Sequence, residues 1–255
     1  MILNFLGHLL ARYLTRPSSG YTVSNPNSVF NLERNLQPGD VVLVEGNLRI
    51  STAIKYLTQS TWSHAAIYVG DTLKKKNSDG QILNLIEADF TCGVIAVPIS
   101  KYSNFHLRIC RPVGLSGDDS DKVIQYVVSR LGNTYDLKNV FDLMRYLLPT
   151  PPVPTRWRRR LLAFGSGEPT KAICSTMIAQ AFQAVRYPIL PSITKVQTLR
   201  SVEPESAKEI LHIRHHSLFA PRDFDISPYF QIIKPTIENG FNYKMLEWDE
   251  SQFNL

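Results

Sequence analysis

"TWSHAAIYVGD" (residues 61–71) is the stretch that most constrains the fold of this chain. His64 opens an apolar run that closes on Gly70 and Asp71, and this pattern is typical of a β-strand ending in a turn. A titratable side chain at the start of so apolar a strand needs a physical reason. His64 is therefore interpreted in three ways: as a structural histidine, as a metal ligand, or as the base of a catalytic site.

The segments around this strand predict an α+β fold, with an antiparallel sheet packed against helices. Upstream, "DVVLVEG" predicts a strand over 40–46, and "STAIKYLTQS" predicts a helix with Ser51 as its N-cap. Downstream, "LNLIEAD", "GVIAVPIS" and "FHLRICRP" each predict a short strand. Two helices follow, one in "DDSDKVIQYVVSRLG" with Gly132 at its C-cap position, and one in "AICSTMIAQAFQAV" with Cys174 in its first turn. Strands that precede helices favour α+β over βαβ alternation.

The amino-acid composition limits the classes of protein to which this chain can belong. A chain of 255 residues is long enough for one large domain. Its three cysteines include no CxxC pair, which argues against a disulfide framework or a zinc ribbon and indicates a reducing, cytoplasmic compartment. The net charge of +6 is concentrated in "RWRRR", Arg156–Arg160. This run is interpreted as a solvated face or a contact for an anionic membrane; no nucleic-acid-binding motif accompanies it, so nucleic acid is disfavoured.

Two further segments bear on domain organisation. Residues 1–17 are apolar but interrupted by His8 and Arg12, lack the features of a signal peptide and are too short to span a bilayer. They are interpreted as an interfacial membrane anchor or as a helix docked on a single domain formed by residues 18–255. The proline-rich segment 149–154 predicts an extended loop, and whether residues 149–160 form a lid is left open.

Cys174 is the candidate nucleophile. Free amides and the positive end of a helix dipole stabilise a thiolate in a first turn, and such sites lower the cysteine pKa from about 8.5 to as little as ~3.5–7.5. Cys92, in a turn, and Cys110, in a strand, lack that position. The alternative is that Cys174 is simply a small buried hydrophobic residue.

A thiolate needs a base, and the base needs an orienting group. His64 is the candidate base. Glu87 lies among apolar residues in "LIEAD", where a carboxylate needs a partner such as an imidazolium on a neighbouring strand. Asp89 has the same strand parity, but Glu87 is the more central of the two.

A metal site is the competing hypothesis for the titratable residues. "LHIRHH" puts His212, His215 and His216 at the i, i+3 and i+4 spacing of helical ligands. No acidic or cysteine ligand lies beside them in the sequence. We therefore predict neither a metal nor another cofactor.

Taken together, "LQPGDVVLVEG", "TWSHAAIYVGD", "LIEAD", "GVIAVPIS", "GNTYD", "AICSTMIAQAF" and "APRDFDISPYF" resemble the permuted papain-like amidases of the YaeF/YiiX type. These are relatives of the NlpC-type cell-wall peptidases and, more distantly, of lecithin retinol acyltransferase. The resemblance covers roughly residues 36 to 235. It implies a circularly permuted papain-like fold, with an antiparallel sheet or a small barrel, in which the histidine strand precedes the cysteine helix. It also implies His64 as base, Glu87 as its polar partner, Cys174 as nucleophile and Tyr135 as a residue that helps to bind the oxyanion.

Three functions follow as hypotheses. The first is a cysteine-dependent hydrolase that forms a thioester acyl-enzyme, acting as an amidase or peptidase or as a lipid acyl hydrolase. The second is an acyltransferase on lipids. The third is a catalytically silent, membrane-associated adaptor with the same fold. The expected partner is an amide or ester substrate, with peripheral membrane contact through residues 1–17 and Arg156–Arg160.

Overall fold

The structure, a computed structural model, describes residues 16–17, 29–89, 92–134, 173–196, 208–212, 214–216 and 219–245. Several sequence predictions fall outside these ranges: the character of residues 1–15, the loop at 149–154, the basic run at Arg156–Arg160 and the position of Tyr135. The division of the chain at residue 17 likewise stays a prediction.

The central element is a six-stranded sheet whose neighbouring strands are all antiparallel. Its spatial order is β4-β3-β2-β1-β5-β8, and over the described residues it is open, with β4 and β8 at its edges, rather than closed into a barrel. A separate pair is formed by β6 and β7. The strands are β1 Val41–Val44, β2 His64–Tyr68, β3 Leu85–Asp89, β4 Gly93–Val97, β5 Leu107–Pro112, β6 Ser192–Val196, β7 Lys208–His212 and β8 Phe230–Ile233.

The helices lie before, between and after these strands. The described α-helices are α1 Val29–Asn35, α2 Arg49–Thr58, α3 Gly117–Val128, α4 Ile173–Ala184, α5 Pro221–Asp225 and α6 Pro235–Glu238, and there are 3-10 turns at Ile99–Tyr102 and Tyr243–Met245. The predicted mixture of helices and antiparallel sheet is confirmed. In the described part of the chain, no helix combines the length and the apolar character needed to cross a membrane.

Both faces of the sheet are covered, which explains why β1 is apolar at every position. Val41 and Leu43 belong to the core that packs under α3 and α4, and Val42 and Val44 belong to a second core on the opposite face. Successive strand side chains point to opposite faces. A strand buried on both sides therefore shows a continuous apolar run instead of an alternation.

Three local predictions are wrong. Ser51 is the third residue of α2, whose N-cap is Leu48, and the C-cap of α3 is Ser129 rather than Gly132. His212 ends strand β7, so the three histidines do not share the helix that their spacing suggested. Residue spacing alone cannot distinguish a helix from a strand followed by a loop.

Candidate active site

His64 and Glu87 lie on adjacent strands, and their side chains meet. β2 pairs with β3 so that Ala66 opposes Glu87, and His64 stands two residues before Ala66 on the same face of the sheet. Nε2 of His64 lies 3.2 Å from Oε2 of Glu87. The structure thus brings together two of the residues that the sequence singled out.

Glu87 is a carboxylate held inside the protein, with 1% of its side chain exposed. Besides His64, it accepts hydrogen bonds from Nζ of Lys101 and from the hydroxyl of Tyr102, both in the 3-10 turn that follows β4. Burial raises the pKa of Glu87, but the hydrogen bond and positive charge of His64, together with Lys101, outweigh burial and lower that pKa to about 2. Glu87 is therefore an anion at any physiological pH.

Cys174 reaches His64 from the other side of the sheet. It is the second residue of α4, which packs against β2 and β3 on the face of the sheet that α3 and α4 cover. The sulfur accepts hydrogen bonds from the ring of His64 and from the backbone N–H of Ala65, and Sγ lies 3.9 Å from the hydroxyl oxygen of Ser175. Because Nε2 of His64 faces Glu87, Nδ1 is the ring nitrogen left for the sulfur.

The electrostatics of this arrangement favour a thiolate and an imidazolium. Burial lowers the pKa of His64, but the charges and hydrogen bonds of Cys174 and Glu87 outweigh it and raise that pKa to about 10. Burial raises the pKa of Cys174, and the positive charge and hydrogen bond of His64 more than reverse this, so the net pKa of the thiol is lowered. With Glu87 and Lys101 included, the four formal charges sum to zero, and a neutral cluster can be buried at lower cost.

The side chains of Cys174 and His64 differ in their exposure to solvent. Cys174 is 5% exposed, whereas 23% of the His64 side chain is exposed. Solvent therefore reaches the pair mainly at the imidazole.

The other two cysteines lack these surroundings. Cys110 is buried in β5, where desolvation raises its pKa far above the ordinary value, and Cys92 is exposed in the turn between β3 and β4. Asp89, the rival orienting group, accepts a hydrogen bond from the backbone N–H of Cys92 at 2.9 Å. Within the described ranges, no three His, Cys, Asp or Glu side chains are grouped closely enough to hold a metal ion.

Lys101 and Tyr102 are the site residues that sequence reasoning missed. They lie in "ISKY", a short 3-10 turn that has no catalytic motif of its own. The apolar residues Ile99 and Tyr102 anchor the turn in the second core. The available signal was a lysine and a tyrosine directly after a strand that pairs with the Glu87 strand.

Residues 35–146 match the family described as permuted papain-like amidase enzyme, YaeF/YiiX, C92 family. The resemblance is thereby confirmed, and so is the permuted papain-like interpretation of the fold. The match supports a hydrolase of the amidase or peptidase kind; the matched segment contains His64 and Glu87 and ends before Cys174.

Solved structures are also similar to this chain. One of them, the crystal structure of metalloprotein yiiX from Escherichia coli O157:H7, shares 15% sequence identity, with a TM-score of 0.45 and coverage of 78% of this chain and 96% of that chain.

Proposed function

Because residues 35–146 match the permuted papain-like amidases, we propose that this chain is a cysteine amidase or peptidase acting through Cys174, His64 and Glu87. One observation carries the proposal: a thiol of lowered pKa and an imidazole of raised pKa contact each other, and a buried carboxylate contacts the same imidazole. Thiol hydrolases have this arrangement: the nucleophile contacts a base, and the base contacts an orienting group.

In the first half of the reaction, the Cys174 thiolate attacks the amide carbonyl carbon. A C–S bond forms, and the carbonyl π electrons move to oxygen to give a tetrahedral oxyanion. When this intermediate collapses, the C–N bond breaks and the leaving amine takes a proton from Nδ1 of His64. The products are a free amine, a thioester and a neutral imidazole.

In the second half, the neutral imidazole of His64 takes a proton from water as the water oxygen attacks the thioester. The C–S bond breaks, the carboxylic acid leaves, and the thiolate and imidazolium are restored. Glu87 holds Nε2 throughout, so it fixes the ring orientation and stabilises the charged form of His64 in each half.

Backbone amides support the oxyanion in this proposal. The first amides of a helix lack partners within the helix, and Cys174 lies in the first turn of α4. Tyr135 remains a second oxyanion group that the family resemblance suggests.

The substrate class follows from the family match, which favours an amide over an ester. Lipid hydrolysis, acyl transfer and membrane contact through residues 1–17 and Arg156–Arg160 stay hypotheses. The adaptor hypothesis does not explain why the charges of Cys174, His64, Glu87 and Lys101 are mutually matched.

The test is covalent labelling with iodoacetamide near neutral pH, followed by mass spectrometry of the cysteine peptides. We expect rapid labelling of Cys174, loss of that adduct in Cys174→Ala, and loss of hydrolysis of amino-acid p-nitroanilides in the same variant. The matched control is Cys92→Ala, which removes an exposed thiol and should leave both readouts unchanged. Full hydrolysis by Cys174→Ala, or a Cys174 thiol that reacts no faster than Cys92, would overturn the proposal.

A further inference from the structure

An open cavity of about 410 Å³ lies beside the start of β2, outside the Cys174–His64–Glu87 cluster. Its walls come from the loop before β2, from β5 and from α5. The lining residues are Gln59, Ser60, Thr61, Trp62, Arg108, Arg222, Asp225 and Ile226. Two arginines and one carboxylate give this wall a formal charge of +1.

Both oxygens of the Asp225 carboxylate accept a hydrogen bond. Oδ1 of Asp225 lies 2.6 Å from Nη1 of Arg108, and Oδ2 accepts a hydrogen bond from the indole N–H of Trp62 at 3.0 Å. The guanidinium of Arg108 also lies over the Trp62 ring, 5.0 Å from its centre. Asp225 therefore neutralises Arg108, and it forms no ion pair with Arg222.

Arg222 supplies the uncompensated charge. Its Nη1 donates to the backbone carbonyl of Thr58 at 3.1 Å, which fixes the guanidinium at the cavity wall. Among the described residues, none accepts a hydrogen bond from its Nε or Nη2, and no carboxylate lies within ion-pair distance. A fixed, half-buried guanidinium with free donors is suited to bind a carboxylate or a phosphate.

Strand register gives the separation between Arg108, at the cavity wall, and Ala65, beside the sulfur of Cys174. Ala65, whose backbone N–H contacts the sulfur of Cys174, pairs with Leu43 of β1, and Leu43 pairs with Arg108 of β5. Neighbouring strands are about 4.8 Å apart, so Arg108 lies roughly 10 Å from Ala65 along one row of the sheet. The three residues share a face, and Trp62 belongs to the core on that face.

We propose that this cavity is an anion-binding subsite in which Arg222 holds a carboxylate or phosphate group of the substrate. The Arg108 side of the subsite would then lie roughly two strand spacings from Ala65, whose backbone N–H contacts the attacking sulfur. The assignment of the anion to the substrate rests on the proposed function, whereas binding of the anion does not. The exposed Ile226 at the cavity wall would contact the apolar part that joins the two groups.

The experiment is titration of the full-length Cys174→Ala protein, observed through the indole N–H resonance of Trp62 in a ¹H–¹⁵N spectrum at constant ionic strength. The chain has three tryptophans, so the resonance is assigned by its loss in Trp62→Phe. The probes are inorganic phosphate, N-acetylalanine and, as a neutral control, N-acetylalanine amide. We expect a saturable shift with at least one anion and none with the amide. The tighter of the two anions identifies phosphate or carboxylate as the preferred group.

Variants separate this subsite from general surface charge. Arg222→Gln should weaken anion binding by about tenfold or more, because it removes a charged hydrogen-bond donor. Arg130→Gln, which removes an exposed arginine that does not line the cavity, should leave the dissociation constant unchanged within about twofold. Ile226→Glu alters only an exposed side chain, and it should weaken binding by placing a competing carboxylate at the cavity.

The outcomes are distinct from those of the labelling test. Absence of a saturable shift with both anions, or equal binding by wild type, Arg222→Gln and Ile226→Glu, would overturn the subsite. If Arg222→Gln does not fold, Ile226→Glu decides the question alone. Anion binding by a protein whose Cys174 proves unreactive would uphold the subsite and overturn the proposed hydrolase.

Discussion

Nε2 of His64 lies 3.2 Å from a carboxylate oxygen of Glu87, whose side chain is almost completely buried. The imidazole is the exposed member of this pair. A substrate that reaches His64 therefore remains separated from the Glu87 carboxylate, which stabilises the imidazolium. Replacing the carboxylate by an amide tests that support, because Gln keeps the size and a hydrogen-bond acceptor but removes the charge.

We expect Glu87→Gln to lower kcat by roughly 10²-fold or more, since the imidazolium loses the charge that stabilises it. The measurement is steady-state hydrolysis of an amino-acid p-nitroanilide, with circular dichroism to verify folding. Glu45→Gln is the control, because Glu45 also pairs with a cation, Lys55, at 3.1 Å but at the surface. A fall of the same size in Glu45→Gln would contradict a specific role for Glu87.

The pH dependence of Cys174 alkylation provides a second prediction. His64, with a pKa raised to about 10, stays positively charged through neutral pH and holds the pKa of Cys174 below its ordinary value of 9.0. His64→Gln removes that charge, so we expect the midpoint of the alkylation profile to move to higher pH and the rate at neutral pH to fall. The measurement is the iodoacetamide rate from acid to alkaline pH in a Cys92→Ser background. Superimposable profiles for the two proteins would show that His64 does not control the thiol.

The strands of the sheet were predictable from sequence to different degrees. β2, β3, β4 and β5 each carry an apolar run bounded by turn residues, and each prediction is confirmed. β8 was missed because its four residues follow a proline-broken segment, and its partner is β5, far away in the chain. Local patterning identifies a strand but carries no information on a distant partner.

The candidate site was predictable only where a residue violated its local pattern. Glu87 and His64 are polar residues in apolar strands, so the sequence marks both. Lys101 and Tyr102 lie in a turn where polar and aromatic residues are ordinary, so their residue types do not mark them and only their position after β4 could have done so. That Cys174 meets His64 across the sheet was implied by the family resemblance, since no local rule brings a helix start to the beginning of a strand.

Gly93 supports a third prediction, which concerns stability. It has a φ of +77°, and a Cβ placed there would lie 2.2 Å from the carbonyl oxygen of Asn133, which accepts the Val94 N–H at 2.9 Å. Gly93→Ala should therefore cost more than the roughly 1–2 kcal/mol of a left-handed alanine, because the loop at Asn133 must also move. The measurement is the free energy of unfolding in urea.

Gly114→Ala is the matched control for that experiment. Gly114 has a φ of +70° and nothing within 4 Å of the added carbon, so it carries the conformational cost without the clash. Equal destabilisation of the two variants would show that the contact with Asn133 is unimportant.

The last prediction concerns Lys101, the second cation that contacts the Glu87 carboxylate besides His64. The folded-state pKa of Glu87 is about 2, below its ordinary value of 4.5, so this group contributes stability above pH 4.5 that is lost as the pH falls towards 2. Lys101 is one of the groups that lower this pKa. Removing its charge raises the folded-state pKa of Glu87 towards 4.5, so this contribution to stability becomes smaller and what remains is lost at a higher pH.

Lys101→Met should accordingly move the acid-unfolding midpoint to higher pH and lower kcat less than Glu87→Gln does, because Glu87 keeps its contact with His64 and its hydrogen bond from Tyr102. Burial and the charge of Glu87 raise the pKa of Tyr102 well above 10, so this phenol stays a neutral donor across the experiment. The measurements are fluorescence-detected acid titration and steady-state kinetics. Lys75→Met provides the control, since it removes the same charge from an exposed position and should leave the midpoint in place. A midpoint that moves equally in both variants would assign the effect to net charge, and Lys101 would then have no positioning role at Glu87.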